Sequence, residues 1–344
     1  MTVSERVRNA ASGEPAEQAP GGPGARRAPL AVQTMGLRKE YGRRIAVANL
    51  SLAVPEGEVF GFLGPNGAGK STTVKMLVGL VRPSGGEGRL FGKPLGDTAA
   101  RRLLGFLPEQ FRFHEWLRAE EFLDLHASLY GVPKRRRPAR IAEALKLVGL
   151  ESRAHDTLRT FSKGMLQRIG IGQALIADPK LVILDEPTSA LDPIGRRDVR
   201  DLIRTLRQRG VAVFLNSHLL SEVEMVCDRV AIIDRGRVVR QGRMAELVSG
   251  ALEVEVRVEG ASERVLAEIE RRWPRVARTG GPTTPSGDPD GRGVRTLRHV
   301  LQDERDVAGM ADLLVRDGAR LLALVPHQAT LEDLFVESVE GREV

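Results

Sequence analysis

The chain carries a single cysteine, Cys227. No internal disulfide can form, and a reducing compartment is expected. No apolar run approaches the roughly 20 residues that span a bilayer, and the N-terminus lacks the apolar stretch of a secretory signal. A role at a membrane therefore needs another chain to supply the membrane part. Aromatic residues make up only 4% of the 344 residues. None is interleaved with the densest basic run, which argues against a stacking platform for single-stranded nucleic acid. That run, 134–140 (KRRRPAR), holds five positive charges, and removing them from the net +7 leaves +2. The charge is thus a local patch rather than a nucleic-acid-binding face. A solvated loop and helix start is the plain reading of the patch, and contact with anionic lipid headgroups is the sharper one. Hydrophobic residues reach 42%, enough for a sizeable core, and the length suits about two domains.

What is present is a phosphate-binding loop. Gly64, Pro65, Asn66, Gly67, Ala68, Gly69, Lys70 and Ser71 spell G-x-x-x-x-G-K-[ST]. The run 59–63 (VFGFL) before it reads as a short buried strand, and 72–80 after it suits a helix, which is the context such a loop requires. Glycines let backbone N–H groups turn inward around a triphosphate, and the helix N-terminus adds a favourable dipole. In this chemistry Lys70 reaches the β- and γ-phosphates and the Ser71 hydroxyl sits on a magnesium ion. A Gly-rich turn matching by accident is the alternative.

A second element supports the first. The run 181–184 (LVIL) is an apolar strand ending in Asp185 and Glu186. Placed beside the strand of the lysine loop, it would aim Asp185 at magnesium and Glu186 at a water attacking the γ-phosphate. The alternative is a strand followed by a polar Asp-Glu-Pro turn.

The remaining organisation follows from composition and period. Residues 1–30 are rich in Ala, Gly, Pro, Glu and Arg and read as a disordered tail. Strand-like runs fill 31–91, helical spacing dominates 109–159, and strands alternate with helices over 162–241. The continuous apolar runs 181–184, 211–215 and 230–233 suit parallel strands buried on both faces. The layout is α/β with a helical insertion. Beyond 242 the character changes. Strands are expected at 252–258, 296–301 and 321–325, helices at 262–273, 306–317 and 330–339, and a flexible loop at 279–292 (TGGPTTPSGDPDGR). Thr330 caps the last helix with Asp333 three residues on. A βαββαβ order would need a second strand that is only guessed.

Between the two nucleotide elements lies 161–168 (FSKGMLQR), with Ser162, Lys163, Gly164 and Met165 at its centre. After Glu186 come Ser189-Ala190-Leu191-Asp192, and Asn216-Ser217-His218 ends an apolar strand. In this order and spacing the chain resembles the nucleotide-binding subunits of ABC transporters over about 31–243. The run at 161–168 looks like their signature motif, Asp192 like the D-loop, and His218 like the switch histidine. Two departures stand out. Phe161, Lys163 and Met165 replace Leu, Gly and Gln of the common signature, and Glu109 follows Pro108 where many relatives carry glutamine, with Gln110 next. Either Glu109 or Gln110 fills the Q-loop role. The details are closest to an exporter branch that pairs with a separate permease.

The resemblance implies a P-loop NTPase cassette over 31–245. This would be a RecA-like core with an antiparallel β subdomain and a helical subdomain at about 109–165, followed by a small C-terminal α/β domain over 246–344. It implies an ATPase using ATP and Mg2+, with Ser71 and Asp185 on the metal and Glu186 and His218 catalytic. Tyr41 would stack on adenine, its alternative being an ordinary strand-turn tyrosine. Two copies would pair head to tail, each site joining Lys70, Ser71 and Thr72 of one to Ser162 and Gly164 of the other. The implied partners are a transmembrane permease and a second copy, with no nucleic acid, at the cytoplasmic face of the inner (plasma) membrane. Trp116 lies where a permease helix would dock, and a buried core tryptophan is the alternative. Cys227 has no paired ligands nearby, so a metal site there is not expected. Two other classes compete. A soluble relative acting on DNA or the ribosome would carry coiled-coil insertions or two cassettes, whereas this chain has one cassette and no sustained heptads. A switch module with little hydrolysis would differ in a phosphate-release assay.

Overall fold

The computed structural model describes residues 29–189, 191–248, 252–274, 294–301, 303–327 and 330–340. Most of the expected N-terminal tail and the whole 279–292 loop lie outside these. The chain opens with an antiparallel hairpin, β1 (Leu30–Tyr41) and β2 (Arg44–Pro55). β3 (Val59–Leu63) then leads into the lysine loop and α1 (Lys70–Leu77). Two antiparallel strands follow, β4 (Gly85–Leu90) and β5 (Lys93–Pro94), then the short α2 (Thr98–Arg101) and β6 (Leu104–Leu107). The helices α3 (Ala119–Leu129), α4 (Arg137–Leu147) and α5 (Lys163–Leu175) come next. After them the chain alternates β7 (Leu181–Asp185), α6 (Pro193–Gln208), β8 (Ala212–Asn216), α7 (Leu220–Val226) and β9 (Arg229–Asp234). It then closes on β10 (Arg237–Arg243) and α8 (Met244–Val248).

These ten strands order as β5-β4-β1-β2-β10-β9-β3-β8-β7-β6. The five from β9 to β6 pair in parallel, as their continuous apolar runs predict. Alternate residues face two cores. Val59, Val182, Val213 and Val230 meet the helices α5, α6 and α7, while Phe60, Ile183, Phe214 and Ala231 meet α1 and the antiparallel strands. One expectation is corrected. β7 does not lie beside β3, because β8 pairs with both and sits between them. The loop after β8 is thereby set between the lysine loop and the acids that end β7, at the crevice where parallel strands terminate.

The basic run 134–140 divides. Arg140 donates to the carbonyls of Leu175 (3.1 Å) and Ile176 (3.2 Å), which end α5, and Arg137 donates to Val132 O (2.9 Å). These two are structural. Lys134, Arg135 and Arg136 remain exposed on a 3-10 turn. Cys227 is buried, and burial pushes its thiol far above the ordinary range, so it is an inert core residue.

Beyond α8, β11 (Leu252–Glu259), α9 (Glu263–Arg272), β12 (Val294–Leu301), α10 (Glu304–Arg316) and β13 (Arg320–His327) build a small module. Its sheet is β12-β11-β13, antiparallel throughout. Val254, Val256, Ile269, Leu301, Met310 and Leu314 form its own core. The guessed second strand of a βαββαβ order would fall between 274 and 294, which lies outside the described residues. The last helix, α11 (Leu331–Glu340), is capped as the sequence predicts. Asp333 N–H donates to Thr330 Oγ1 (3.2 Å) and Thr330 N–H donates to Asp333 Oδ2 (3.0 Å). It does not stay with the small module, where the 246–344 boundary puts it. Leu331 and Leu334 are buried in the core around α7 and β9, and Leu331 N–H donates to Glu224 Oε2 on α7 (3.3 Å). Its apolar face was legible in the sequence, but the surface that face meets was not.

Candidate functional site

The lysine loop is shaped by close approach. At Gly69 the backbone holds φ +106°, and a Cβ there would meet Ala46 O at 2.5 Å. Only glycine fits both constraints. The ammonium of Lys70 donates to Gly64 O (2.6 Å) and Pro65 O (3.2 Å), so the loop's own carbonyls hold it in place. Burial pushes the Lys70 pKa down, while the charges of Glu186, Asp185 and Glu109 oppose that shift.

A cavity of about 410 Å3 opens at this loop. Asn66, Gly67, Gly69, Lys70, Ser71 and Thr72 line it from the loop and α1, and Glu109, Glu186, Asn216 and His218 line it from the ends of β6, β7 and β8. Gly64, Pro65 and Ala68 of the loop are not among the lining residues. Four of the residue groups expected from the sequence are thus represented in the lining: the lysine loop, Glu186 after β7, the histidine after β8 and the residue after Pro108, while Asp185, at the end of β7, is buried behind it. It is Glu109 and not Gln110 that faces the cavity. Arg44, Ala46 and Asn216 also line it and were missed. Period-two alternation puts 44 and 46 on one face of β2, but nothing in their type marks them.

The acids are held in specific ways. Asp185 is buried, and burial raises its pKa, offset by a hydrogen bond from Asn216 Nδ2 (2.5 Å). Glu186 sits at φ +53°, a left-handed conformation uncommon outside glycine that is found where an active site stores strain. Its N–H donates to Asn216 O (2.8 Å), and its Oε2 lies 2.8 Å from His218 Nδ1. Burial raises the Glu186 pKa and the His218 hydrogen bond lowers it. A carboxylate kept partly dry beside an imidazole is equipped to take a proton from water near neutral pH. If Glu186 is the general base, its protonation state sets the acid side of a pH profile. Replacing His218 with alanine removes the hydrogen bond that lowers the Glu186 pKa, so the rising limb of kcat against pH should move to higher pH. The plateau should drop on the order of 10²-fold through lost positioning, as phosphate release across pH 5 to 9 would show.

Among the described residues no group of three or more His, Cys, Asp or Glu could hold a metal. Magnesium shared with phosphate oxygens needs only one or two protein oxygens and keeps its own waters. Ser71 and Asp185 are such oxygen donors beside the lysine loop, and buried Asn216 Oδ1 has no protein partner, so the donor set suits that ion.

The signature residues are elsewhere. Ser162 and Lys163 are exposed, and none of Ser162, Lys163, Gly164 and Met165 lines the cavity. Ser162 caps α5, its Oγ accepting from Met165 N–H (3.3 Å), while Phe161 is buried beneath it. Asp192 caps α6, its Oδ1 accepting from Gly195 N–H (2.7 Å). Tyr41 is 46% exposed at the hairpin end, with Lys39 Nζ 5.0 Å from its ring centroid, and lies outside the cavity lining. Trp116 is 73% exposed, which removes the core-tryptophan alternative.

Comparison with known proteins fits this geometry. The family profile described as ABC transporter matches residues 47–189. An uncharacterized ABC transporter ATP-binding protein of Synechocystis sp. is 40% identical over 85% of this chain and 78% of its own length. The daunorubicin/doxorubicin resistance ATP-binding protein DrrA of Streptomyces peucetius is 37% identical over 80% of this chain and 87% of its own. Among solved structures, an ATP-binding subunit of an ABC transporter superposes with a TM-score of 0.58 at 32% identity, covering 63% of this chain and 91% of that one. A dimeric post-hydrolysis state of an ATP-binding cassette, bound to ADP and Pi, superposes at 0.56 and 28% identity, covering 62% and 98%.

Proposed function

Because the chain belongs to the ATP-binding subunits of ABC transporters, we infer that its ATPase activity drives export through a separate transmembrane permease, by closing and reopening a head-to-tail dimer. ATP binding, hydrolysis and a place in transport come with the family. The observation that carries the rest is a one-sided site. The cavity is lined by the lysine loop, Glu109, Glu186 and His218, while Ser162 is exposed at the start of α5 and neither it nor Gly164 lines that cavity. A second copy would complete the site by facing that helix N-terminus to the γ-phosphate.

In this reading Ser71 and Asp185 hold Mg2+, which neutralises phosphate charge when bound. Lys70 and the loop N–H groups grip the β- and γ-phosphates. Glu186 accepts the proton of the attacking water, and His218 orients Glu186. Glu109 takes the Q-loop position, Asp192 fixes the start of α6 at the dimer seam, and Tyr41 provides a face for adenine. Export is favoured by similarity to a relative named for daunorubicin and doxorubicin resistance. In this reading the substrate path belongs to a permease; no described helix of this chain is long and apolar enough to cross a membrane. The exposed Trp116, edge-on to His114 at 5.3 Å, would meet it at the inner membrane's cytoplasmic face.

Replacing Lys70 with alanine tests the grip on ATP. Phosphate release by the purified chain should fall at least about 100-fold, because a charge-assisted contact to the transferred phosphoryl group is lost. A variant that hydrolysed ATP at the normal rate would remove the lysine from the mechanism. Recovery of a multi-span protein with the wild-type chain from detergent-solubilised membranes tests the permease, and its consistent absence would sink the transport assignment.

A further inference from the structure

Asn216 ends β8, and its side chain continues the face that Ala212 and Phe214 present to the apolar core. At the next step along that face the apolar layer gives way to the nucleotide cavity, which Asn216 lines. The residue is 2% exposed. Its main-chain oxygen accepts from Glu186 N–H at 2.8 Å, and its Nδ2 donates to Asp185 Oδ1 at 2.5 Å. The amide can face only one way, because exchanging its nitrogen and oxygen would press two acceptors together. Its Oδ1 is therefore fixed, and it is buried with no partner.

A buried amide oxygen left unpaired costs stability, and an apolar side chain would fill the position without that cost. Strand pairing does not explain it, since the ladder to β7 and β3 uses only the backbone. Orphaned polar atoms of this kind are explained by an ion, a water or a ligand that the site is built to receive. The donors around it are suited to magnesium, which holds most of its own waters and presents their hydrogens outward. Partners outside the direct ligands set the orientation of those ligands and tune affinity about 10- to 100-fold.

We propose that Asn216 is a positioning residue for the magnesium ion: its Nδ2 fixes the Asp185 carboxylate in the orientation that ligates the ion, and its Oδ1 accepts a hydrogen bond from a water the ion carries. The same residue holds Glu186 through its carbonyl, so one position on β8 aligns both acids that end β7. This rests on the ATPase reading and adds a residue to it.

The test separates metal from nucleotide. In the full chain carrying Asn216→Leu, Mn2+ affinity is measured by electron paramagnetic resonance with saturating non-hydrolysable ATP analogue. Affinity for a fluorescent ATP is measured separately in EDTA. The expected result is a fivefold or greater loss of Mn2+ affinity with metal-free nucleotide affinity within twofold of wild type. A smaller loss of Mn2+ affinity, or an equal fall in both affinities, overturns the proposal, because it would make Asn216 a filler of the cavity wall. Asn216→Ala, the milder change, is read by the same two affinities and thresholds should the leucine variant not fold. A wild-type chain that bound neither the Mn2+ nor the nucleotide would instead overturn the ATPase reading itself.

Discussion

Replacing Glu186 with glutamine is expected to lower ATP hydrolysis by about 10²- to 10⁴-fold, the range for loss of a general base, while ATP stays bound. Glutamine keeps the shape and can still meet His218, but it cannot accept the proton of the attacking water. The chain should then accumulate as an ATP-bound dimer, seen as a doubled mass on size exclusion only when ATP is present. A normal hydrolysis rate would show that Glu186 is not the base. The same variant should change the nucleotide-free chain. Burial holds the folded pKa of Glu186 above its ordinary 4.5. Between those values the folded chain binds a proton the unfolded chain lacks, so stability falls as pH rises through that window. Glutamine removes this dependence. Its stabilising effect should be present at neutral pH and vanish below about 4, the ordinary carboxylate range, as thermal melts across pH would reveal.

Gly164→Ala is expected to separate folding from assembly. In the chain itself a Cβ at Gly164 would find its nearest neighbours at 3.8 Å (Leu191 Cδ2) and 4.0 Å (Ser162 Oγ), ordinary contact distances, with no positive φ to relieve. In this first turn of α5 alanine should leave the helix intact, its gain over glycine being at most the roughly 0.5–1 kcal/mol of a helix interior. If the start of α5 must approach a neighbour's γ-phosphate, the added methyl blocks the backbone N–H groups from it. ATP-dependent dimerisation should disappear and hydrolysis should fall on the order of 10²-fold, the scale for one misplaced oxyanion donor. A variant with an undiminished melting temperature and intact dimerisation would mean that the glycine faces no partner.

The parts of this site legible in the sequence are those whose chemistry is local. Gly64 to Ser71 announce themselves because a loop that wraps phosphate needs glycines at fixed spacing. Asp185 and Glu186 follow because an apolar strand ending in two acids has few other uses beside such a loop. The order of strands was not legible. Val182 and Val213 are equally apolar, and the period that marks both as buried does not say which lies next to β3. Tertiary proximity hid Arg44, Ala46 and Asn216 in the same way. Asn216 stood inside a quoted motif, yet its contact with Asp185 depends on the two facing each other on the paired strands β7 and β8, a register that composition does not carry. Glu109 and Gln110 are adjacent and both polar, so only the exit angle of the chain after Pro108 could separate them.

The docking of the final helix gives the polypeptide an unexpected grammar. The three-stranded module is spelled between two pieces that both belong to the cassette, so it reads as a parenthesis and not as a suffix. Trimming the chain from its end would strip Leu331 and Leu334 from the cassette interior before reaching the module at all. Excising the module cleanly means joining the chain near 248 to the chain near 330 and leaving the last helix in place.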